Sequence, residues 1–550
     1  MGFLDGNWES GLYRFGMETA RALNWLFTRA AVSTNKGLTR GRSTEKIEEA
    51  ENQRLADCRR VVMDFLNRFG YMTRECMSRE ELEQLIDSGI QSDDLAQEIY
   101  NRIIELPGII LGVQPYGNQF EIKLPFSNRE RHVYIIGRSG SGKTNLLRNM
   151  ILQDLEFGHG IGVLAPELEL LTEEILPYIP ENRIDDVVVV NPTDTDYPIP
   201  LNPLVLDYGE DIDQKVDDAV TIFKRIVGET GARMDEILRQ SFYALMERPG
   251  STLLDFEPLL NPQDRTLRNE IIHNTTDQQT ARFFQNTYPS YPKDAYIPIV
   301  TRISRLIRPR AIRTLLCQPG KSFNFRRAMD EGKILLFNLS DGILGEQTSQ
   351  LLGQLIISKI QLAVMSRVDT PAAKRRPFYL YLDEFQTFTG VAETSYDKIL
   401  SRARKYKLSI TLAHQQTGQL SHDLLREILG NVSTLITFGV SHNDAVKLAN
   451  EYVSDNLPPV PPDEFIRLKT GEAIIKIDRC VLVLRTYLAP QQPDFQRASQ
   501  VIMRSRKNYG HGENGYKWNT REPWDIPPDI KQIPQKPPDD EPPIDPSKVF

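Results

Sequence analysis

The sequence predicts an α/β fold in which a mainly parallel sheet is interrupted by an all-α insertion. From about residue 109, short β-branched runs alternate with helical segments, which is the pattern of a parallel sheet with helices on both faces. Between about residues 209 and 332 helical periodicity dominates, so no strands are expected in this part. The runs that predict strands are VYIIG, GIGVLAP, DDVVVVNP, KILLFNLS, FYLYLDE, LSITLAH and TLITFG.

The two ends of the chain differ in composition from this α/β core. Residues 11–32 place apolar side chains at near-helical spacing, which predicts an amphipathic helix followed by a linker rich in Gly, Ser, Thr and Arg. A charged stretch then predicts a helical N-terminal domain. The Pro-rich acidic C-terminal tail cannot bury enough apolar surface to fold alone and is expected to be disordered. The predicted divisions are 1–44 for the amphipathic helix and linker, 45–108 for the helical domain, 109–208 and 333–495 for the two parts of the core, 209–332 for the insertion and 496–550 for the tail.

The overall composition excludes several classes of protein. The 550 residues are 40% hydrophobic and 25% charged, and no run approaches the roughly 18 consecutive apolar residues of a membrane span. Four widely separated cysteines (Cys58, Cys76, Cys317 and Cys480) form no CxxC pair, which argues against a zinc site or a disulfide framework and favours a reducing cytoplasm. A formal net charge of −8 argues against non-specific coating of nucleic acid, so any such contact should be local.

A glycine-rich loop between a predicted strand and a predicted helix carries the clearest chemical signal. The segment HVYIIGRSGSGKTNLLRNMILQDL matches GxxxxGK[ST]. Its glycines let backbone N–H groups converge on phosphate oxygens at a helix N-terminus, so the loop predicts an ATP site. Lys143 is expected to contact the β and γ phosphates, and the Thr144 hydroxyl is expected to bind Mg²⁺. The residues predicted to bind ATP are Gly137, Arg138, Ser139, Gly140, Ser141, Gly142, Lys143 and Thr144.

An acidic pair far downstream complements this loop. In FYLYLDEF, five mostly apolar residues form a predicted strand that delivers Asp383 to the carboxyl edge of the sheet, where a ligand to Mg²⁺ or its waters is needed. Glu384 is then the candidate base that orients or deprotonates the attacking water. The alternative for Glu384 is a solvated surface carboxylate.

A helix and a strand follow, in the segment ILSRARKYKLSITLAHQQTGQL. Gln415 lies at the expected strand end, where its amide could sense the γ-phosphate or position water, and the alternative is a loop glutamine bonded to backbone. Arg402 and Arg404 are ordinary helix-surface charges, or one of them is an arginine finger that reaches the nucleotide of a neighbouring subunit.

Together these motifs resemble the HerA/FtsK superfamily of ring-forming P-loop DNA motors, and most closely the TraG/TraD-type coupling proteins of conjugative type IV secretion. The resemblance covers approximately residues 112–452. It implies a RecA-like P-loop NTPase core, a homo-hexameric ring and translocation of DNA through a central channel. It also implies roles for Lys143 and Thr144 at phosphate and Mg²⁺, for Asp383 and Glu384 at metal and water, for Gln415 as sensor and for Arg404 as the trans-acting finger, with Arg402 as the fallback. The matching segments are GRSGSGKT, IPENRIDDVVVVNPTDTDYPIPLNPL, DEGKILLFNLSDGILG, RRPFYLYLDEF, LSRARKYKLSITLAHQQ and GNVSTLITFGVSHNDA.

The chain departs from the family pattern in three places. Where relatives often carry an acidic DPHGD-like sequence after the second strand, this chain has APELEL, in which Glu167 or Glu169 could substitute. Membrane-bound coupling proteins carry N-terminal transmembrane helices, whereas this chain has only the amphipathic segment, and the helical N-terminus lacks the β-barrel typical of HerA proteins. We therefore expect a soluble, cytoplasmic relative, with the amphipathic segment either docked on a protein or peripheral to the inner membrane.

Several functions remain open from the sequence. The first is an ATP-dependent DNA translocase in DNA transfer, in a mobile element or in anti-phage defence, with DNA-stimulated turnover. The second is a nucleotide-controlled P-loop scaffold that assembles a partner effector without moving DNA. The third is the substrate-receptor role of a secretion coupling protein, in which the tail or the all-α domain recruits a relaxosome or an effector. The basic run TRISRLIRPRAIR either grips phosphate, lines a subunit interface or forms a solvated helix face.

Overall fold

The computed structural model describes most of the chain between residues 49 and 510. The predicted N-terminal amphipathic helix and the Pro-rich stretch beyond residue 510 lie outside the described residues. The described ranges are 49–62, 77–115, 121–206, 211–227, 231–292, 294–389, 399–452, 460–478, 480–488 and 492–510.

A single sheet of 11 strands organises the described part of the molecule. Its spatial order is β2-β1-β11-β10-β9-β3-β8-β7-β4-β6-β5. The strands are β1 (Gly108–Val113), β2 (Glu121–Pro125), β3 (Val133–Ile136), β4 (Gly160–Ala165), β5 (Val187–Val190), β6 (Ile334–Asn338), β7 (Phe378–Leu382), β8 (Leu408–His414), β9 (Thr434–Thr437), β10 (Glu472–Ile477) and β11 (Cys480–Thr486).

The seven predicted strands form the parallel part of this sheet. They run β9-β3-β8-β7-β4-β6-β5, with Val133 opposite Thr411 of β8 and Thr434 of β9. Every residue of β3, β7 and β8 is buried, as expected for parallel strands covered on both faces. The prediction of a mainly parallel α/β sheet is therefore confirmed. The sequence analysis missed β1, β2, β10 and β11, which extend the sheet antiparallel from β9.

Helices make up most of the remaining regular structure. Between β5 and β6 the described residues form eight α-helices, α7 to α14, and one isolated bridge joins Leu201 to Ser322. The α-helices are α1 (49–62), α2 (Arg79–Asp87), α3 (Ser92–Glu105), α4 (Phe126–Arg129), α5 (Lys143–Glu156), α6 (Leu168–Thr172), α7 (Ile212–Val227), α8 (Ala232–Glu247), α9 (Phe256–Leu260), α10 (Thr266–Asn274), α11 (Gln278–Arg282), α12 (Ile297–Ile307), α13 (Arg310–Leu316), α14 (Phe325–Glu331), α15 (Asp341–Leu344), α16 (Glu346–Met365), α17 (399–402), α18 (His422–Asn431), α19 (His442–Ala449), α20 (Pro462–Arg467) and α21 (Phe495–Tyr509).

Alternation along β3 divides the core into two layers. Val133 and Ile135 point into the layer that holds α5, whereas Tyr134 and Ile136 point into the layer that holds α16. Successive side chains of a strand face opposite sides, so one four-residue strand anchors both layers. The loop that joins β3 to α5 is therefore fixed by packing on both faces of the sheet.

Helix α16 is the most apolar long helix among the described residues. By length and composition, the stretch Glu346–Asp369 is the one candidate there for a membrane span, with a mean hydropathy of 1.3 in its most apolar window. However, 61% of that window is buried inside the fold. This is weak evidence for a span, because the core helix of any large domain passes the same test.

Residues 496–509, which the sequence analysis assigned to the flexible tail, form most of α21. Ala498, Val501 and Ile502 are buried at helical spacing, and the helix packs along edge strand β5. The backbone N–H of Val189 donates to Ser505 Oγ at 2.8 Å. The tail prediction was wrong here because a short amphipathic pattern precedes the Pro-rich stretch.

A buried ion pair joins α4 to α5, and the hydroxyl of Tyr381 connects this pair to β7. The Arg129 guanidinium donates to both carboxylate oxygens of Asp154, at 2.7 and 2.8 Å, and the Tyr381 hydroxyl donates to the same carboxylate at 2.6 Å. Neither Arg129 nor Asp154 is exposed. Tyr381 lies two residues before Asp383, so the pair helps to fix the strand that ends at the candidate site.

Candidate nucleotide site at the carboxyl edge of the sheet

The glycine-rich loop between β3 and α5 is held by backbone hydrogen bonds to the neighbouring strand ends. The N–H of Gly137 donates to the carbonyl of His414 at 3.3 Å, and the N–H of Arg138 donates to that of Gly439 at 2.9 Å. Gly142 has φ of 113°, a conformation that L side chains rarely adopt, and it immediately precedes α5. The loop thus places the N-terminus of a 14-residue helix at the carboxyl edge of the sheet, where an anion is favoured.

Lys143 is the first residue of α5 and is almost completely buried. Its ammonium donates to the carbonyl oxygens of Gly137, at 2.8 Å, and Arg138, at 3.3 Å. The Nζ atom also lies 3.9 Å from Glu384 Oε1. Burial lowers the pKa of Lys143, and the nearby carboxylates of Glu384 and Asp383 oppose that shift. The structure therefore brings the predicted phosphate-binding lysine next to the predicted acidic pair.

Asp383 and Glu384 follow β7 directly, as the sequence predicted. Asp383 is 3% exposed. Burial and then the charge of Glu384 raise the pKa of Asp383 to about 7. The Glu384 N–H donates to Asp383 Oδ1 at 3.0 Å, and Glu384 adopts left-handed backbone angles of φ 44° and ψ 48°. A non-glycine residue in that region is uncommon, and such residues cluster at functional sites.

Two glutamine amides contact the Glu384 carboxylate. Gln415, which follows β8, donates from Nε2 to Oε1 at 3.0 Å. Gln386 donates from Nε2 to Oε2 at 2.7 Å. The sequence analysis predicted that Gln415 would lie at the site, but it missed Gln386. The only signal for Gln386 was its position two residues after the acidic pair.

Of the two acidic residues in APELEL, Glu167 belongs to the charge cluster. Burial and the charge of Glu384 raise its pKa, and Glu167 in turn raises the pKa of Asp383. The charge of Glu169 contributes to the raised pKa of Glu167. Glu167 is therefore the better placed of the two for an auxiliary role.

Arg402 and Arg404 are exposed and lie at the opposite edge of the sheet from Gln415. They precede β8, a strand of seven residues, whereas Gln415 follows it. At roughly 3.3 Å per residue, the strand separates them by about 20 Å. Neither arginine is brought to the acidic pair of its own chain.

The acidic cluster fits a hard cation. Asp383, Glu384 and Glu167 oppose one lysine, so the site carries excess negative charge on oxygen atoms, which are the ligands that Mg²⁺ prefers. The described residues contain no group of three His, Cys, Asp or Glu side chains that could hold a metal alone.

Comparison with known proteins gives a family match and a set of structural likenesses. The family described as "TraM recognition site of TraD and TraG" matches residues 377–457, which include β7, Asp383, Glu384, Arg404 and Gln415. None of the curated proteins matches the chain.

Among solved structures, the unbound bacterial conjugative coupling protein TrwBdeltaN70 is 16% identical, with a TM-score of 0.48, and the match covers 68% of this chain and 89% of that one. The plasmid coupling protein TrwB in complex with ADP and Mg²⁺ gives the same four values. VirB4 of Thermoanaerobacter pseudethanolicus is 15% identical, with a TM-score of 0.48 and coverage of 72% and 98%. Likeness at this level concerns the fold alone.

The family match falls on the segment that carries the acidic pair, the exposed arginines and Gln415. The sequence had already suggested a TraG/TraD-type protein from motifs in the same segment. The match therefore supports the resemblance to TraG and TraD proteins over residues 377–457.

Proposed function

We infer that this chain is an ATPase subunit of a hexameric motor that moves DNA through the channel of its ring. The observation that carries the proposal is the convergence of Lys143, Asp383, Glu384 and Gln415 at one edge of the sheet. The Nζ atom of Lys143 lies 3.9 Å from Glu384, which also accepts a hydrogen bond from Gln415 at 3.0 Å. Together these side chains can bind phosphates and activate water, and a loop with a purely structural role requires neither of these activities.

Each residue has a distinct task in this proposal. The N–H groups of the glycine-rich loop and the ammonium of Lys143 bind the phosphates of ATP. Thr144 and Asp383 would hold Mg²⁺, which neutralises charge on the phosphate oxygens when bound. Glu384 orients the attacking water and takes its proton, and Gln415 holds Glu384 in place.

The primary test is ATP turnover by the intact protein with and without double-stranded DNA, beside Glu384→Gln. We expect DNA to raise wild-type turnover and the substitution to lower it by about 100-fold or more, the loss typical of a removed general base. Normal hydrolysis by Glu384→Gln would refute the assignment of the base. Wild-type turnover that DNA leaves unchanged from low to moderate salt would count against translocation.

The placement of Arg404 far from its own acidic pair supports a site completed by a neighbouring subunit. This can be tested by mixing Arg404→Ala subunits with Lys143→Ala subunits. Each variant alone should be inactive, but in a randomly mixed ring about one quarter of the sites pair an intact P-loop with an intact finger. Recovery of about that fraction of turnover is expected. The same mixture with Arg402→Ala in place of Arg404→Ala shows which arginine is the finger. If turnover recovers in neither mixture, neither arginine is the finger.

The basic run is the best candidate in the described residues for contact with DNA. Arg305, Arg308, Arg310 and Arg313 are exposed, and none of them forms a side-chain hydrogen bond or ion pair within the part of the chain that the structure describes. Elsewhere in the same helical region the exposed Arg327 is paired with Glu331, and the half-buried Arg239 is paired with Asp217. Four cations that lie within nine residues and have no partner among the described residues would attract a polyanion, although the whole chain carries a net charge of −8.

Replacing these four arginines by alanine tests this surface. We expect weaker DNA binding and a shallower dependence of affinity on salt, by about 0.9 in the log–log slope for each lost phosphate contact. Alanine at Arg327 and Arg426, which are exposed but paired, provides the matched control. Loss of ring assembly with unchanged DNA affinity would assign the run to a subunit interface, and no change in either would make it a solvated face.

A second candidate function is a nucleotide-controlled scaffold that assembles a protein partner. It is favoured by the description of the matched family as a TraM recognition site, which suggests a protein contact on residues 377–457. Slow turnover, together with partner binding that depends on nucleotide and not on DNA, would support it. For either function we place the protein in the cytoplasm, because the four cysteines of the sequence are widely separated and form no CxxC pair, which suits a reducing compartment.

A further inference from the structure

The Glu384 carboxylate is held from two sides. Oε1 accepts from Gln415 at 3.0 Å, and Oε2 accepts from Gln386 at 2.7 Å. A carboxylate whose two oxygens are each bonded to an amide has little rotational freedom. The second bond also compensates for the uncommon backbone conformation of Glu384, whose φ is 44°.

Gln386 comes from a rigid turn. It lies in the 3-10 helix Phe385–Phe388, and both phenylalanines of that helix are fully buried. The Phe385 ring meets His414 edge-on, with centroids 5.1 Å apart, and His414 immediately precedes Gln415. Gly353 of α16 allows Phe388 to pack closely, because a Cβ at that position would overlap its ring. The two amides are therefore carried by elements that pack against each other.

The orientation of the Gln386 amide follows from its neighbour. An ionised carboxylate only accepts hydrogen bonds, so Nε2 must face Glu384 and Oε1 must face away. Oε1 is buried and has no hydrogen-bond partner within the described residues. A buried acceptor without a donor costs free energy, so a glutamine here is poorly explained by packing alone.

We propose that Gln386 is a positioning residue for hydrolysis, which clamps the second oxygen of Glu384 so that the carboxylate faces the attacking water. This inference rests on the proposed ATPase function. Gln386 contacts neither phosphate nor metal in it, and acts only through Glu384. Its removal should slow the chemical step and leave nucleotide binding intact.

The test compares Gln386→Ala, Gln386→Glu and the control Thr387→Ala, a partly buried neighbour in the same turn. We expect kcat to fall by about 10- to 100-fold in Gln386→Ala, the effect of one hydrogen bond to a charged group. Gln386→Glu preserves the shape but replaces a donor with a like charge, so it should lower kcat at least as much. The affinity for a fluorescent ATP analogue and the unfolding midpoint should match those of Thr387→Ala in both variants.

A double-mutant cycle separates positioning from a structural role. In a Glu384→Gln background, Gln386→Ala should change the residual rate by less than about twofold, because the group it positions is gone. An equal loss of rate in both backgrounds, or a parallel loss of nucleotide affinity, would overturn the proposal.

The rates of three proteins show whether this inference fails alone or together with the proposed function. The inference alone fails if the wild type hydrolyses ATP, Glu384→Gln does not, and Gln386→Ala is as active as the wild type. If the wild type itself does not hydrolyse ATP, the proposed function fails with it.

Discussion

Two buried aspartates near opposite ends of the P-loop helix have opposite electrostatic surroundings. Asp154, in the last turn of α5, receives hydrogen bonds from Arg129 and Tyr381. Burial opposes its ionisation, but the charge of Arg129 and the hydrogen bonds outweigh it and leave the pKa of Asp154 below its usual value. Asp383 is almost as buried, yet its charged neighbours are mainly carboxylates, and its pKa rises to about 7.

The difference separates a charge that is neutralised within the fold from one that is not. Asp154 finds its counter-charge inside the chain, so folding alone satisfies it. Asp383 lacks a sufficient counter-charge in the described residues, and a bound cation would supply one. Three measurements on substituted proteins test this distinction, and the largest effect is expected in the first.

Asp154→Ala should lower the free energy of unfolding by about 3–5 kcal/mol, because it leaves the fully buried Arg129 without its partner. Denaturant titration followed by circular dichroism measures the loss. As a control, Asp423→Ala removes an exposed aspartate paired with Arg426 and should leave the unfolding midpoint unchanged. Equal behaviour of the two variants would mean that the buried pair is not structural.

Asp383→Asn should reduce ATP turnover by about 100-fold, or about 3 kcal/mol of activation free energy, because one oxygen ligand at the metal loses its charge. The apparent affinity for Mg²⁺, obtained from turnover against Mg²⁺ concentration, should fall as well. The matched control is Asp341→Asn, an exposed aspartate that follows β6 at the same edge of the sheet. A loss of similar size in both variants would point to a general electrostatic effect.

The same Asp383→Asn substitution should raise the free energy of unfolding by about 1 kcal/mol without nucleotide and Mg²⁺, because a buried charge next to Glu384 is removed. Thermal unfolding at neutral pH measures this effect. With ATP and Mg²⁺ present the order should reverse, since the wild type then gains more from the ligand. A midpoint lowered under both conditions would place Asp383 with Asp154 among the structural charges.

The sequence predicted the elements that local patterns encode. The β-branched runs identified all seven parallel strands, and the strand ends placed Lys143, Asp383, Glu384 and Gln415 correctly at one edge. Strand β1 was missed because its partner is distant in sequence: Gly112 pairs with Thr486. Its two glycines also weaken the local signal for a strand.

The contacts that the sequence could not predict are those between side chains brought together by packing. No local pattern links Arg129 to Asp154, because the two residues lie 25 positions apart. The role of Gln386 depends on the left-handed conformation of Glu384 and on the turn that follows it. Neither this backbone conformation nor this turn has a residue composition or spacing from which the sequence alone would predict it.

Helix α21 has a consequence for how the protein tolerates shortening. It covers the outer edge of β5, where the Val189 N–H is already bonded to Ser505, so that edge offers little to a strand from another molecule. A chain cut before Phe495 would uncover a run of four valines at a sheet edge. Such a chain would be prone to edge-to-edge aggregation even with the opposite parts of the sheet intact, so removal of the Pro-rich tail should stop after Tyr509.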